Sequence, residues 1–77
     1  MSRKKFLKLA YYRNKYDIKQ ADMAQLLGIN PSSYSHKETG RTPFLYDEII
    51  IVLNFLNKKA KKAGDEKLVF EDVFLNK

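Results

Sequence analysis

Apolar residues recur along this chain at the three- and four-residue spacing of amphipathic helices. Near the start, one face of the pattern carries Phe6, Leu9, Ala10, Arg13 and Tyr16. Side chains three and four positions apart lie on the same side of an α-helix, so this segment predicts a helix over roughly residues 3–14. Asp17 and Gln20 then offer a capping box for a second helix.

Two short helices joined by a glycine turn are predicted in the centre of the chain. The first of them carries on one face Met23, Ala24 and Leu27. Gly28 supplies the left-handed residue that ends this helix, and Asn30 caps the next one. Pro31 suits the first helical position because no N–H is needed there. The next helix is predicted over residues 31–39 with Gly40 as its stop, which gives the layout of a helix-turn-helix.

The most apolar stretch of the chain, residues 49–56, is predicted to be a fourth helix. Its β-branched side chains would also suit a buried strand. The acidic residues 47–48 and the lysine-rich residues 58–62 favour a helix, because they complement the two ends of the helix dipole. Thr42 is the predicted cap and Pro43 the first residue of this helix.

Gly64 is the predicted end of the fourth helix, and a short closing helix is expected around residues 70–75 after an extended segment at 67–69. No internal repeat, linker or low-complexity tract interrupts the pattern. The chain is therefore expected to form one all-α domain of five helices over residues 1–77, with its helix-turn-helix at about residues 18–39.

The fourth helix carries more apolar side chains than one face can bury. Either the closing segment covers the surplus or a second subunit does. A homodimer is the preferred interpretation, with an interface predicted at Ile51, Val52, Phe55, Phe70 and Phe74.

Composition narrows the classes of protein that this chain can belong to. It has 77 residues, no cysteine and one histidine, His36, which excludes disulfides and leaves too few ligands for a zinc site. We expect no cofactor, no metal and no small-molecule substrate, since no nucleophile, base and orienting group form a catalytic constellation. No long apolar run or signal peptide is evident, so a cytoplasmic protein without membrane contact is expected.

The excess positive charge lies entirely in one half of the chain. Residues 1–42 hold nine basic and three acidic residues, and residues 43–77 hold six of each, which accounts for the net charge of +6. A solubility surface would explain a basic protein equally well. Because the excess coincides with the two-helix motif, we favour phosphate neutralisation and a nucleic-acid partner.

Residues 13–40 resemble the lambda-repressor-like helix-turn-helix family, which includes Cro, phage repressors and the Xre type. The matching positions are Arg13, Gln20, Ala24, Gly28, Ile29, Asn30, Tyr34, Ser35, Glu38 and Gly40. The resemblance implies a sequence-specific regulator of transcription that binds double-stranded DNA, encoded by a bacterium or phage, of the prophage or mobile-element type. Repression is favoured over activation. Dimeric binding to two-fold operators is also implied.

The resemblance assigns roles to particular residues. Helix 31–39 would enter the major groove and contact base edges through Pro31, Ser32, Ser33 and His36. Gln20 would contact a phosphate and brace the helix that enters the groove, Arg41 and Thr42 would approach the DNA backbone, and a structural ion pair would join Arg13 and Glu38. We predict further phosphate contacts, which the resemblance does not assign, at Lys19, Asn30 and Lys37. The two serines could instead be simple helix-start residues, and His36 a solvated side chain.

Two departures from the family pattern bear on these roles. Lys19 occupies the position where Ser or Thr usually caps the second helix, and Lys37 replaces a commonly apolar residue. A protein of another class stays open as the alternative, in which the apolar fourth helix binds a partner protein. It is an antitoxin- or antirepressor-like interaction module that keeps the helix-turn-helix only as a scaffold.

Overall fold

The computed structural model describes residues 6–75, which form five α-helices. They are α1 (Leu7–Lys15), α2 (Gln20–Leu27), α3 (Pro31–Glu38), α4 (Tyr46–Ala63) and α5 (Phe70–Phe74). The predicted all-α fold with five helices is confirmed, including the choice of helix over strand for the apolar stretch in α4. Residues 3–5 of the first predicted helix lie outside the described residues.

Three helices begin with the same backbone arrangement, in which a carboxylate at the third helical position accepts the N–H of the residue before the helix. The donor and acceptor pairs are Lys19 and Asp22 for α2, Leu45 and Glu48 for α4, and Val69 and Asp72 for α5, each at 2.9 Å. The side chains of these three preceding residues cannot accept a hydrogen bond, so none of them can cap its own helix. The carboxylate instead binds the backbone N–H of the preceding residue, which fixes the first turn. In α3, the carboxamide oxygen of Asn30 accepts the N–H of Ser33 at 2.8 Å.

These starts correct two of the predictions. The capping box of α2 pairs Lys19 with Asp22 rather than Asp17 with Gln20, and Asp17 adopts a left-handed φ of 56° in the turn after α1. Thr42 and Pro43 do not start α4. The helix starts at Tyr46, because the Glu48 carboxylate accepts the N–H of the preceding residue, Leu45. The segment between α3 and α4 is therefore longer than predicted.

Two glycines end helices, as predicted from their positions. Gly28 follows α2 with φ of 72° and Gly64 follows α4 with φ of 77°. A Cβ built at either residue would meet no atom within 4 Å. The requirement for glycine at these two turns is therefore conformational rather than steric, since other residues rarely adopt a positive φ.

All five helices contribute to a single hydrophobic core. The largest fully buried side chains are Leu9, Met23, Tyr34, Val52, Leu56 and Val73. At one end of the core, Phe6, Phe44 and Phe74 form a triangle of edge-to-face contacts with ring centroids 5.2 to 5.8 Å apart. This geometry favours aromatic pairs beyond the area that they bury.

The predicted subunit interface needs correction at two residues. Val52 is 0% exposed and Phe74 is 4% exposed within one chain, so neither has surface to offer a second subunit. The reason is that α5 covers part of the apolar surplus of α4 itself. Ile51 and Phe70 remain exposed at 41% and 42%, and Phe55 is half-buried.

The longest helix, α4, has a different neighbour on each flank. At about 100° per residue, Ile50 and Asn57 lie on one flank, and Glu48 and Phe55 on the other. Asn57 donates to the carbonyl of Leu68 at 2.9 Å and accepts its N–H at 2.6 Å, so the first flank faces the segment before α5. Glu48 pairs with Lys37 of α3, so the second flank faces the helix-turn-helix.

Candidate nucleic-acid interface

Helices α2 and α3 form a helix-turn-helix whose second helix has a free outer face. Ile29 donates its N–H to the carbonyl of Ala24 at 3.0 Å, which closes the turn. At the start of α3, Pro31 and Ser32 are exposed and Ser33 is half-buried. The start of α3 therefore presents small polar side chains to the outside, as a helix that enters a DNA groove must.

A shallow cavity of about 310 Å³ lies beside this helix, lined by Ile29, Ser33, His36, Lys37, Thr42 and Glu48. It brings together two of the residues predicted to contact bases, Ser33 and His36, with Thr42, which was predicted to contact phosphate. The outer side of α3 and the segment that follows it thus form one continuous surface.

The segment after α3 folds back on the end of that helix. The N–H groups of Arg41 and Thr42 both donate to the carbonyl of His36, at 2.8 and 3.2 Å. The Nη1 of Arg41 also lies 3.4 Å from Nε2 of the His36 imidazole. Arg41 and Thr42 are exposed. A cationic side chain is therefore held close to the end of α3.

Glu38, at the end of α3, is the centre of a polar network inside the protein. The residue is 6% exposed, and each of its two carboxylate oxygens accepts two hydrogen bonds. Oε2 accepts from Nε of Arg13 at 2.9 Å and from the hydroxyl of Tyr34 at 2.7 Å. Oε1 accepts from Nη2 of Arg13 at 3.1 Å and from Nε2 of Gln20 at 3.2 Å. The four bonds join α1, α2 and α3 at one carboxylate.

The network shifts the pKa values of two of its members. The hydrogen bonds to Glu38 raise the pKa of Arg13 despite partial burial, and burial together with the Glu38 charge raises the pKa of the Tyr34 hydroxyl. Arg13 thus stays cationic and Tyr34 stays a neutral donor. Arg13 also donates to the carbonyl of Ile18 at 2.9 Å, which ties the turn between α1 and α2 to the same network.

Lys37 is engaged inside the protein. Its ammonium lies 2.9 Å from Oε1 of Glu48 and donates to the carbonyl of Pro43 at 3.0 Å. The side chains of Lys37 and Glu48 are only 13% and 12% exposed. This pairing fastens α3 to α4, and it leaves the Lys37 charge compensated rather than directed outwards, which differs from the predicted phosphate contact.

The remaining predicted phosphate contacts lie at the starts of the two helices. Lys19 and Asn30 are exposed residues immediately before α2 and α3, and Gln20 is the half-buried first residue of α2. The carboxamide oxygen of Asn30 is used by its own helix as a cap. Gln20 is thus the one predicted phosphate contact that also belongs to the Glu38 network.

The family resemblance assigned Gln20 a role in bracing the helix that enters the groove, but the hydrogen bonds from Gln20 and Tyr34 to Glu38 were not predicted from the sequence. Tyr34 is one of the positions that match the family pattern, and in the structure it is fully buried. Its spacing of four from Glu38 on one helix was the available signal, because such pairs lie on the same face. Lys37 and Glu48 lie on different helices, so no spacing of residues along the chain indicates that they pair.

Within residues 6–75, no cluster of three His, Cys, Asp or Glu side chains is arranged to hold a metal ion. In the same part of the chain, no helix has the length and apolar character needed to span a membrane.

Comparison with known protein families agrees with this geometry. A family model described as helix-turn-helix matches residues 9–62, from within α1 to the last turns of α4. Comparisons with curated proteins and with solved structures gave no match. The matched domain is a DNA-binding regulatory domain. With 54 of the 77 residues covered by the match, the chain belongs to the lambda-repressor-like helix-turn-helix family.

Proposed function

We propose that this protein is a sequence-specific regulator of transcription that binds double-stranded DNA, and that it acts as a repressor of the prophage or mobile-element type. The observation that carries the proposal is the exposed start of α3, where Pro31 presents a small apolar ring and Ser32 a hydroxyl group. The inner face of the same helix is fixed to α1 and α2 through Glu38. A rigidly held helix with a free polar face can read bases without rearrangement.

In this proposal, base contacts come from Pro31, Ser32, Ser33 and His36. Serine hydroxyls and the imidazole can donate to or accept from base edges, and Pro31 can touch a thymine methyl group. Phosphate contacts come from Lys19, Gln20, Asn30, Arg41 and Thr42. Lys37 is left out because Glu48 already compensates its charge.

We also propose a homodimer, with a revised interface. At about 100° per residue, Ile51 and Phe55 lie nearer to Glu48 than to Asn57 around α4. We therefore leave both out of the revised interface. The flank that faces α5 carries Tyr46 and Ile50, which are 77% and 41% exposed, and Phe70 is 42% exposed. We name Tyr46, Ile50 and Phe70 the apolar flank.

The charge distribution supports self-association through the C-terminal half. Residues 43–77, which contain the apolar flank, have six basic and six acidic residues and no net charge. Two copies can therefore approach through this half without the repulsion that the basic N-terminal half would cause. A two-fold dimer would hold two α3 helices about 34 Å apart, one turn of the duplex.

The direct test is retardation of duplex DNA by the purified protein at several salt concentrations. The proposal expects complexes whose affinity falls steeply with salt, because phosphate contacts release counterions. If no duplex is retarded at low salt, DNA binding is excluded.

The exposed apolar flank favours one second candidate, an antitoxin- or antirepressor-like module that binds another protein through α4 and α5. Under this candidate the helix-turn-helix is only a scaffold. A protein that retards no DNA but forms a stable complex with a different chain through the apolar flank would support it.

A further inference from the structure

Tyr34 combines two properties that a simple core residue does not need. Its side chain is 0% exposed, and its hydroxyl donates to Oε2 of Glu38 at 2.7 Å on the same helix. A phenylalanine would fill the same volume without the cost of burying a polar group. The hydroxyl therefore points to a role for Tyr34 in fixing the Glu38 carboxylate.

The bond from Tyr34 determines how the rest of the carboxylate is used. With Tyr34 and Nε of Arg13 on Oε2, the other oxygen is left for Nη2 of Arg13 and for Gln20. Gln20 donates one of its two amide hydrogens to Oε1, at 3.2 Å. Since an ionised carboxylate only accepts, this bond also fixes which end of the Gln20 amide faces inwards. The second amide hydrogen is then free to donate to a phosphate.

We propose that Tyr34 is a positioning residue for DNA binding. It holds Glu38 in the rotamer that orients Gln20 and sets the angle of α3 against α2. The inference rests on the proposed DNA-binding function, and it adds a residue that touches no DNA. Pre-organisation of this kind raises affinity because fewer side chains lose freedom on binding.

The chain offers a matched control. Tyr16 also donates its hydroxyl to a carboxylate at 2.7 Å, but its partner is Asp65 in the segment between α4 and α5. The variants Tyr34→Phe and Tyr16→Phe each remove one hydroxyl group and the hydrogen bond that it donates to a carboxylate. A positioning role predicts different effects of the two variants on DNA binding, and a purely structural role predicts an effect on stability alone.

The experiment compares dissociation constants of wild type, Tyr34→Phe and Tyr16→Phe for one duplex, at a temperature where all three are fully folded. We expect Tyr34→Phe to weaken binding about fivefold and Tyr16→Phe to change it less than about twofold. We also expect Gln20→Ala to lose less affinity in the Tyr34→Phe background than in wild type, because both changes act through one carboxylate. Equal affinity of folded Tyr34→Phe and wild type, or fully additive effects, would overturn the proposal.

A measurement on the wild-type protein keeps the proposal testable if Tyr34→Phe does not fold. The two glutamines of the chain, Gln20 and Gln25, both lie on α2, and Gln25 is exposed. We expect a side-chain amide order parameter of about 0.8 for Gln20 and below about 0.6 for Gln25. Equal mobility of the two amides would contradict the proposed anchoring. If wild type binds no duplex at all, the proposed function fails and the positioning role fails with it.

Discussion

Arg13 and Glu38, which are 25 positions apart in the chain, form a two-point ion pair that fastens α1 to the end of α3. The two bonds measure 2.9 and 3.1 Å, and the side-chain exposures are 12% and 7%. Close by, the N–H of Phe6 donates to the backbone carbonyl of Glu38 at 3.0 Å. The position of α3 therefore depends on contacts that are largely closed to water.

Loss of the Arg13 charge should destabilise the fold strongly. In Arg13→Met, the carboxylate of Glu38 stays buried with only the neutral donors Tyr34 and Gln20, and an uncompensated buried charge costs about 3 kcal/mol or more. We expect that loss in the free energy of unfolding, measured with urea.

An exposed ion pair of α1, between Lys15 and Asp65, is the control for the Arg13→Met variant. Lys15 lies 3.4 Å from Asp65, with a side chain 40% exposed, and Lys15→Met should leave the urea midpoint nearly unchanged. Similar midpoint shifts for Arg13→Met and Lys15→Met would show that the buried ion pair stabilises the fold no more than the exposed one.

Asp65 should make stability depend on acid pH. The hydrogen bond from Tyr16, aided by Lys15, lowers the pKa of Asp65 below its ordinary value of 3.8, so the ionised form is the one that folding favours. The contribution is complete above pH 3.8 and is lost as the pH falls through the lower folded value. The melting temperature of Asp65→Asn should lie below that of wild type at pH 6 and converge with it towards pH 2. A constant gap across this range would refute the coupling.

Arg41 and Ser32 should affect DNA binding in different ways. Arg41→Ala should weaken binding to all duplexes similarly and flatten the slope of log affinity against log salt by about 0.9, because one phosphate contact is lost. Ser32→Ala should instead change the preference among sequences. Uniform loss on every duplex for both variants would remove this division of roles.

Lys37, which lies on α3, provides a second cation for the same salt titration. Its ammonium is compensated by Glu48, so Lys37→Met should leave the salt slope unchanged while it lowers stability. If Lys37→Met flattens the slope of log affinity against log salt as much as Arg41→Ala does, Lys37 contacts a phosphate after all.

Two of the three consecutive isoleucines of α4 test the dimer surface. Ile50 and Ile51 are each 41% exposed and project about 100° apart around the helix, with Ile50 on the flank of Asn57 and Ile51 nearer the flank of Glu48. We expect Ile50→Asp to shift the protein to monomer in sedimentation velocity and Ile51→Asp to leave the dimer intact. The reverse pattern would favour the flank that carries Ile51 and Phe55, and a wild-type monomer at every concentration would exclude the dimer.

Local signals in the sequence were sufficient for the two central helices. Gly28 ends α2 and Asn30 followed by Pro31 starts α3, because each requirement is met by neighbours in the chain. The start of α4 was missed for a related reason. Its cap is a backbone N–H of Leu45 bound by Glu48, and Leu45 itself carries no capping side chain.

Long-range contacts explain what the sequence pattern could not provide. The apolar surplus of α4 was visible, but the burial of Val52 and Phe74 depends on how α5 lies against α1 and α4. The Arg13 and Glu38 pair came from the family resemblance, whereas the pairing of Lys37 with Glu48 depends on the angle between two helices. A one-dimensional pattern does not contain that angle.

Selection from a pool of random DNA duplexes shows whether α3 reads a DNA sequence. The bound fraction is recovered after several rounds and sequenced. We expect an enriched inverted repeat whose half-sites are centred about one duplex turn apart. A pool that retains its random composition, or that is not bound at all, would contradict sequence-specific recognition.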